Sequence, residues 1–243
     1  MKKKLNTRFD LCIVTVVKDN ANALERTKES LLQIPKNVQW IVQSFSSESY
    51  REKVGANIVF NYSADTGIYN AMNEALKCVN ATWVLFLNAG DCLDIQLEKL
   101  TRIIKKFDSE KTSLLFNWSF REKVCRPKLQ KIKNGSAFCH QAVIISFDQF
   151  ENQRYDEKYF LASDYKFFLS AYLLGCEFTE IETQLVRIEP GGVSDTRRVH
   201  VYSEFLDIQL EHGLGTMRSF LYFLKNLTLH YLKVPVKILV SKL

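Results

Sequence analysis

Residues 85–91 read Leu85-Phe86-Leu87-Asn88-Ala89-Gly90-Asp91, an apolar run that ends in a carboxylate on a glycine-containing turn. The run that begins at Thr82 is almost wholly apolar, which is typical of a strand buried on both faces of a parallel sheet. In open α/β sheets, ligands bind beyond the carboxyl ends of the strands. The stretch therefore predicts an α/β fold with Asp91 in a ligand cleft.

Strands and helices alternate around this stretch. Strands are predicted over Phe9–Val17, Val38–Gln43 and Ile58–Phe60, and helices over Leu24–Ile34 and Tyr69–Val79. The alternation predicts a mainly parallel central sheet with helices on both faces. The loops that follow the strands are expected to line one cleft.

The second half of the chain is less regular. Short strands are predicted at Leu114–Phe116 and Ala142–Ile145, a helix at Asp164–Leu174, and a mobile loop at Pro190–Gly192. No internal repeat and no Pro/Gly-rich linker marks a second domain. We therefore expect one domain over residues 1–215, followed by a tail over residues 216–243.

Composition favours a cytoplasmic globular protein. The 243 residues are 47% hydrophobic, which is enough to bury a full core. The six cysteines form no CxxC pair and no compact disulfide framework, which fits a reducing compartment. No segment has the pattern of a signal peptide, and none reaches the roughly 18 apolar residues that a membrane-spanning helix needs.

The tail concentrates positive charge. After Glu211 the chain has five Lys or Arg residues and no acid, which gives +5 of the formal net charge of +6. Phe, Leu and Tyr residues lie between these charges, so the pattern favours a basic amphipathic helix on an anionic membrane over a nucleic-acid site. We expect the cytoplasmic membrane surface as a partner, and no nucleic acid.

Four positions could carry chemistry. Asp91 could hold Mg²⁺ or Mn²⁺ against a diphosphate, or could cap a turn. The Gly67 turn could bind an anion at a helix N-terminus, or could simply begin a helix. Asp164 could act as a general base or as a helix cap. His140 could face the cleft as a metal ligand, or could be structural.

Several enzyme classes are excluded by their missing motifs. The sequence has no HExxH, GxSxG, GxxxxGK[ST] or GxGxxG pattern. These absences argue against zinc proteases, serine hydrolases, P-loop enzymes and Rossmann dehydrogenases.

Seven segments in order resemble the family 2 glycosyltransferases of the GT-A fold, in particular the bacterial branch of exopolysaccharide and O-antigen synthesis. The resemblance extends over residues 9–194. Its segments are Thr15–Asn20, Trp40–Val42, Asp65–Asn73, Leu87–Asp91, His140–Gln141, Ala162–Asp164 and Gly191–Ser194.

The resemblance implies an inverting transferase that uses a nucleotide-diphosphate sugar, in the first place a UDP-sugar, and Mn²⁺ or Mg²⁺. Asp91 corresponds to the last acid of the metal motif, with His140 as a further predicted ligand. Asp164 corresponds to the catalytic base. The residues assigned to the nucleotide pocket are Thr15, Val17, Ser44, Asp65, Gly67, Asn73 and Asn88.

The chain departs from the family after the second strand, where an Asp usually contacts the nucleoside. Here the residues are Gln43-Ser44-Phe45. Gln43 or Ser44 could still contact a uracil edge. The implied acceptor is a saccharide or an undecaprenyl-diphosphate-linked saccharide, and the alternative function is a non-catalytic nucleotide-sugar-binding module of the same fold.

Overall fold

The structure, a computed structural model, describes residues 8–44, 50–51, 58–63, 66–215, 220, 221, 223, 224 and 228. Asp65, Phe45 and most of the predicted tail lie outside the described residues. No helix in the described ranges is both long enough and apolar enough to span a bilayer.

Nine strands and seven α-helices are formed by the described residues. The strands are β1 Phe9–Val17, β2 Val38–Ser44, β3 Val59–Tyr62, β4 Ala81–Phe86, β5 Cys92–Leu93, β6 Thr112–Phe120, β7 Lys123–Cys125, β8 Val143–Ser146 and β9 Glu177–Ile188. The helices are α1 Ala21–Leu31, α2 Ile68–Leu76, α3 Leu97–Ile104, α4 Gln149–Asn152, α5 Ser163–Leu173, α6 Val193–Thr196 and α7 Arg198–Glu211. The described residues also form two short 3₁₀ helices, Leu129–Asn134 and His140–Ala142.

All strands join one sheet in the order β3-β2-β1-β4-β8-β6-β9-β5, with β7 paired to β6. The first four strands in this order are parallel, and β6 is parallel to β9. Strands β5, β7 and β8 pair in the antiparallel direction. The predicted α/β class is confirmed, with the continuous parallel part of the sheet in the first half of the chain.

Strand β1 shows why both faces of the sheet are covered. Cys12 and Val14 belong to one core, together with Met72 of α2. Leu11 and Ile13 belong to the other core, which includes residues of α1 and α3. Side chains alternate between the two faces of a strand, so an unbroken apolar run needs helices on both sides.

Helix α1 begins and ends earlier than predicted. The Asn20 side chain accepts a hydrogen bond from the Ala23 amide at 2.9 Å and so caps a helix whose first residue, Ala21, is three residues upstream of the expected start. At the other end, Leu32 has a φ of 48°, which ends the helix before Pro35. The start of the helix is therefore set by the capping side chain and not by the first apolar residue of the periodic pattern.

Candidate active site

The turn that carries Asp91 follows β4 and is held by helix α1. The Thr27 hydroxyl accepts a hydrogen bond from the Gly90 amide and donates one to the Asp91 carbonyl, each at 2.9 Å. Gly90 has a φ of 106°, a conformation that a residue with a side chain rarely adopts. Asp91 is followed by strand β5, and α3 begins only at Leu97, so Asp91 does not cap a helix.

The Asp91 carboxylate is buried and bonded at both oxygens. Oδ2 accepts from Gln141 Nε2 at 3.1 Å, and Oδ1 accepts from the Glu189 amide at 2.9 Å. Burial raises the pKa of Asp91 to about 6, the two hydrogen bonds oppose that rise, and the Glu189 charge adds to it. The carboxyl is therefore poised to exchange a proton in the mildly acidic range.

The short segment from Cys139 to Gln141 lies near both predicted acids. The Cys139 thiol is hydrogen-bonded to Gln141 Oε1 at 3.0 Å, which orients the amide that meets Asp91. Burial raises the pKa of Cys139, and the charges of Asp91 and Asp164 both contribute. Asp91 and Asp164 thus both lie near this segment.

Asp164 lies in the first turn of α5. The N-cap residue of this helix is Ala162, which makes no side-chain cap hydrogen bond, so Asp164 is not the N-cap residue itself, although its carboxylate bonds a first-turn amide. Its Oδ1 accepts from the Tyr69 hydroxyl at 2.9 Å and from the Tyr165 amide at 2.8 Å. The hydrogen bonds that the described residues make to the Asp164 carboxylate are therefore both to Oδ1.

The path of α5 places Asp164 near the carboxyl edge of the sheet. After the helix, the chain enters β9, whose first residue donates its amide to the Lys111 carbonyl at 3.0 Å, next to the start of β6. The C-terminus of α5 is therefore near the amino edge of the sheet. Its first turn lies near the opposite, carboxyl edge, where the Asp91 turn also lies.

Tyr69 and Tyr155 form an aromatic wall beside Asp164. Their ring centroids are 5.4 Å apart. Burial and the neighbouring Asp164 charge raise the pKa of Tyr69, so its hydroxyl stays protonated and can donate. Sequence reasoning missed this role, because the tyrosine was read only as part of a helix face.

His140 belongs to the same buried cluster. Its Nε2 is 2.8 Å from the Tyr155 hydroxyl, and its ring lies 5.3 Å from that of Phe86. Burial lowers the pKa of His140, although the Asp164 charge opposes this, so the ring is neutral at neutral pH. Its predicted role as a metal ligand stays a prediction, with Nε2 engaged by Tyr155.

Asn70 and Asn73 attach helix α2 to the segment that leads to Asp164. The Asn73 amide donates to the Tyr155 carbonyl at 2.9 Å and accepts from the Tyr155 amide at 3.1 Å. Both asparagines also donate to the Glu157 carboxylate. Asn73, predicted for the nucleotide pocket, therefore lies where it fixes the backbone of the segment that leads to Asp164.

Gly67 is the N-cap residue of α2 and lies directly against Phe160. A Cβ placed on Gly67 would be 2.9 Å from Phe160 Cε2, too close for any side chain without movement. The glycine therefore allows a close contact between α2 and the segment before α5. Its predicted part in anion binding stays a prediction.

The predicted nucleoside side of the cleft lies at the ends of β1 and β2. Val17 and Ser44 are buried and paired in register there. Thr15 is also buried, and its hydroxyl accepts from the Trp40 indole at 3.0 Å. Gln43 is engaged with β3, since Asn61 donates to its Oε1 at 2.8 Å. Gln43 Nε2 in turn donates to the Ser63 hydroxyl at 2.9 Å.

The side-chain oxygen of Asn88, three residues before Asp91, has no hydrogen-bond partner among the described residues. This Oδ1 atom is buried. No cluster of three His, Cys, Asp or Glu side chains able to bind a metal occurs in the same ranges. An amide oxygen and one carboxylate are hard oxygen ligands, so this donor set fits Mg²⁺ or Mn²⁺ that is also bound by diphosphate oxygens.

Comparison of the sequence with known protein families and with curated proteins finds no match. Solved structures do match. S. aureus TarS, residues 1–349 in complex with UDP, aligns with a TM-score of 0.63 and 16% identity over 83% of this chain and 64% of that one. The same TarS fragment with UDP-GlcNAc gives a TM-score of 0.60 and 16% identity, over 82% and 66% of the two chains.

A second protein matches along nearly the whole chain. The mannosyltransferase PcManGT from Pyrobaculum calidifontis, in complex with GDP-Man and Mn²⁺, aligns with a TM-score of 0.61 and 10% identity over 98% of this chain and 80% of that one. This chain spans less than two thirds of the TarS chain with UDP. At these identities the likeness establishes the fold, which is the GT-A type found in these glycosyltransferases.

Proposed function

We propose that this protein is a glycosyltransferase that transfers a sugar from a nucleotide-diphosphate sugar, with inversion, to a carbohydrate acceptor. The observation that carries the proposal is the position of Asp91 and Asp164 at one edge of a GT-A sheet, where Gln141 bonds to the Asp91 carboxylate and the Tyr69 hydroxyl bonds to the Asp164 carboxylate. The UDP-GlcNAc and GDP-Man complexes of the structural neighbours support a nucleotide sugar as the donor.

Asp164 is the proposed base. Two hydrogen bonds hold Oδ1, which leaves Oδ2 to accept the proton of an acceptor hydroxyl. The resulting oxygen attacks the anomeric carbon, and the bond to the nucleotide diphosphate breaks on the opposite side. A single displacement inverts that centre, so an α-linked donor would give a β-linked product.

Asp91 and Asn88 are proposed to hold the cation. Mn²⁺ or Mg²⁺ bound there would neutralise the negative charge that develops on the leaving diphosphate. Gln141 and the Glu189 amide orient the Asp91 carboxylate, which would present its remaining lone pairs to the cation.

The acceptor, compartment and pathway are part of the same proposal. We assign a saccharide or undecaprenyl-diphosphate-linked saccharide as acceptor, in exopolysaccharide or O-antigen synthesis, at the cytoplasmic face of the membrane. The basic tail supports this location, because it has five positive charges and no acid. If a variant without residues 216–243 co-sediments with membranes as well as the full chain does, the tail is not the anchor.

The deciding experiment incubates the protein with a panel of nucleotide sugars and Mn²⁺ and measures released nucleotide diphosphate with and without saccharide acceptors. One donor is expected to react. Donor binding without turnover under any of these conditions would favour the non-catalytic module, an alternative supported by Gln43 at the position of the usual nucleoside Asp. Absence of both binding and turnover would contradict the proposed function.

A further inference from the structure

A positively charged hairpin extends from the sheet at residues 121–133, which we term the basic hairpin. Strands β6 and β7 are joined by only Arg121 and Glu122, whose φ angles are 49° and 62°. Two-residue turns with positive φ at both positions favour Asn-Gly. This turn carries two long side chains of opposite charge in a strained conformation instead, and the net positive charge of the hairpin comes from the residues that follow it.

The basic hairpin carries nearly as much net charge as the entire chain. It has six Lys or Arg residues and one Glu, a net charge of +5. The tail carries another +5, so the remaining residues have a net charge of −4 against +6 for the whole protein. All six cations are exposed: Arg121, Lys123, Arg126, Lys128, Lys131 and Lys133.

Few acids lie near these cations. Glu122 is at the tip, and Glu180 of β9 accepts a hydrogen bond from the Leu129 amide at 3.5 Å. Lys133 lies over the Tyr172 ring at 5.8 Å. Five of the hairpin's cations lie between residues 123 and 133. Within the described ranges, none of these five forms an ion pair within 4.0 Å. The positive charge therefore faces solvent.

The tip of the hairpin, residues 121–125, is on the same edge of the sheet as the Asp91 turn. Strands β7, β6, β9 and β5 lie side by side, and Val124, Ser119, Arg187 and Cys92 are directly opposite one another in that order. Three strand spacings separate Val124 from Cys92, which is about 14 Å. Arg187, between them, is also exposed. Positive charge thus borders the cleft.

We propose that the basic hairpin binds an anionic lipid surface and turns the cleft toward it. A membrane fits better than a soluble polyanion, because the charges surround an exposed apolar residue, Val124, which is 61% exposed. The charged tail also presents apolar side chains, with Phe220 48% and Leu221 57% exposed. That a lipid-linked acceptor would then meet the cleft rests on the proposed function, whereas the lipid contact itself does not.

The test measures binding of the full-length protein to phosphatidylcholine vesicles with and without phosphatidylglycerol, in the absence of donor and acceptor. The variant Lys123→Gln/Lys128→Gln removes two charges from the hairpin. The control Lys36→Gln/Lys106→Gln removes two exposed lysines that precede β2 and β6 at the amino edge of the sheet. Circular dichroism verifies that each variant is folded.

The hairpin variant is expected to bind phosphatidylglycerol vesicles about 25-fold more weakly, or about fivefold for each charge. The control should bind nearly as well as the original protein. Equal loss in both variants, or no loss in the hairpin variant, would overturn the proposal. So would tighter binding to heparin or single-stranded DNA than to the vesicles. Because nucleotide-sugar binding is measured separately, failure here is distinguishable from failure of the proposed function.

Discussion

The Tyr69 hydroxyl donates a hydrogen bond to Oδ1 of Asp164 over 2.9 Å, and so connects the start of helix α2 to the start of helix α5. These residues are far apart in sequence, and the contact holds the carboxylate by one oxygen. The same hydroxyl is 3.2 Å from the Leu161 carbonyl, which fixes the backbone just before α5. The orientation of Oδ2 therefore depends on α2.

Tyr69→Phe should slow transfer about tenfold and leave donor affinity unchanged. The ring and its packing remain, and only the hydrogen bond to the carboxylate is lost. A hydrogen bond to a charged group is worth about 1.5–3 kcal/mol, and about 1.4 kcal/mol corresponds to a tenfold change in rate. Steady-state kinetics with the active donor would measure kcat and donor KM. The matched control is Tyr155→Phe, which removes a neighbouring hydroxyl that bonds to His140. An equal fall in kcat for both variants would point to general disturbance of the aromatic wall.

Asp91→Asn and Asp164→Asn should damage different steps. Asp91→Asn removes the carboxylate proposed to hold the cation, so metal-dependent donor affinity and turnover should both fall. Asp164→Asn cannot accept a proton, so transfer should fall by about 10² to 10⁴ while donor still binds. Calorimetry with the donor and Mn²⁺ separates the two effects. Near-normal transfer by folded Asp164→Asn would remove Asp164 from the mechanism.

Metal-dependent donor binding should strengthen as the pH rises through about 6, the pKa to which burial raises Asp91. The proton competes with the cation below that pH. For folding the sign is opposite: the native carboxyl holds its proton up to about pH 6, whereas the unfolded carboxyl releases it near the ordinary pKa of 3.8. Ionisation of Asp91 should therefore lower the free energy of unfolding as the pH rises through that window. Donor titrations at a series of pH values test this, and an unchanged profile in Asp91→Asn would contradict it.

His140 should make the protein less stable in acid. Burial lowers its pKa below the ordinary value of 6.5, so between the native and the ordinary pKa the unfolded state binds a proton that the native state does not. Stability from this group is complete above about pH 6.5 and is lost as the pH falls toward the native pKa. Urea unfolding of the original protein and of His140→Phe would measure this. The free energy of unfolding of the variant should be about 1–3 kcal/mol lower at neutral pH, because the Tyr155 hydroxyl loses its partner. That free energy should also fall less steeply as the pH is lowered.

Glu122→Gly should stabilise the protein by about 1 kcal/mol. Glu122 has a φ of 62°, and the left-handed conformation costs a residue with a Cβ roughly 1–2 kcal/mol, part of which the entropy of glycine offsets. Thermal unfolding gives the measurement, with Glu182→Gly on the exposed face of β9 as a control that should destabilise. A lower melting temperature for Glu122→Gly would mean that the side chain makes compensating contacts.

The first half of the fold was predictable because its strands are buried on both faces. Strand β1, with its unbroken apolar run, was predicted with the bounds that the structure has. Strand β9 was missed, because most of its 12 residues are not buried and its glutamates hide the pattern. Helix α7 was missed for a similar reason, since only Ile208 and Gln209 are buried in it.

At the site, the two acids could be found from sequence, and the residues that orient them could not. Asp91 lies at the end of an apolar strand and Asp164 at the start of an apolar helix, and each position is a local signal. Tyr69 and Gln141 act across long separations in the chain, and no local pattern distinguishes them from ordinary helix or turn residues. Only the fold reveals such partners.

The hydrogen bonds between Thr27 and the Asp91 turn couple the motion of the turn to that of helix α1. The Gly90 amide donates both to the Thr27 hydroxyl at 2.9 Å and to the Ala23 carbonyl at 3.1 Å, so it cannot reach solvent unless helix and turn separate. Amide hydrogen exchange at Gly90 should therefore follow the opening of α1, at a rate far slower than its position in a surface turn would suggest. Metal affinity and the integrity of a helix that supplies no ligand would then rise and fall together.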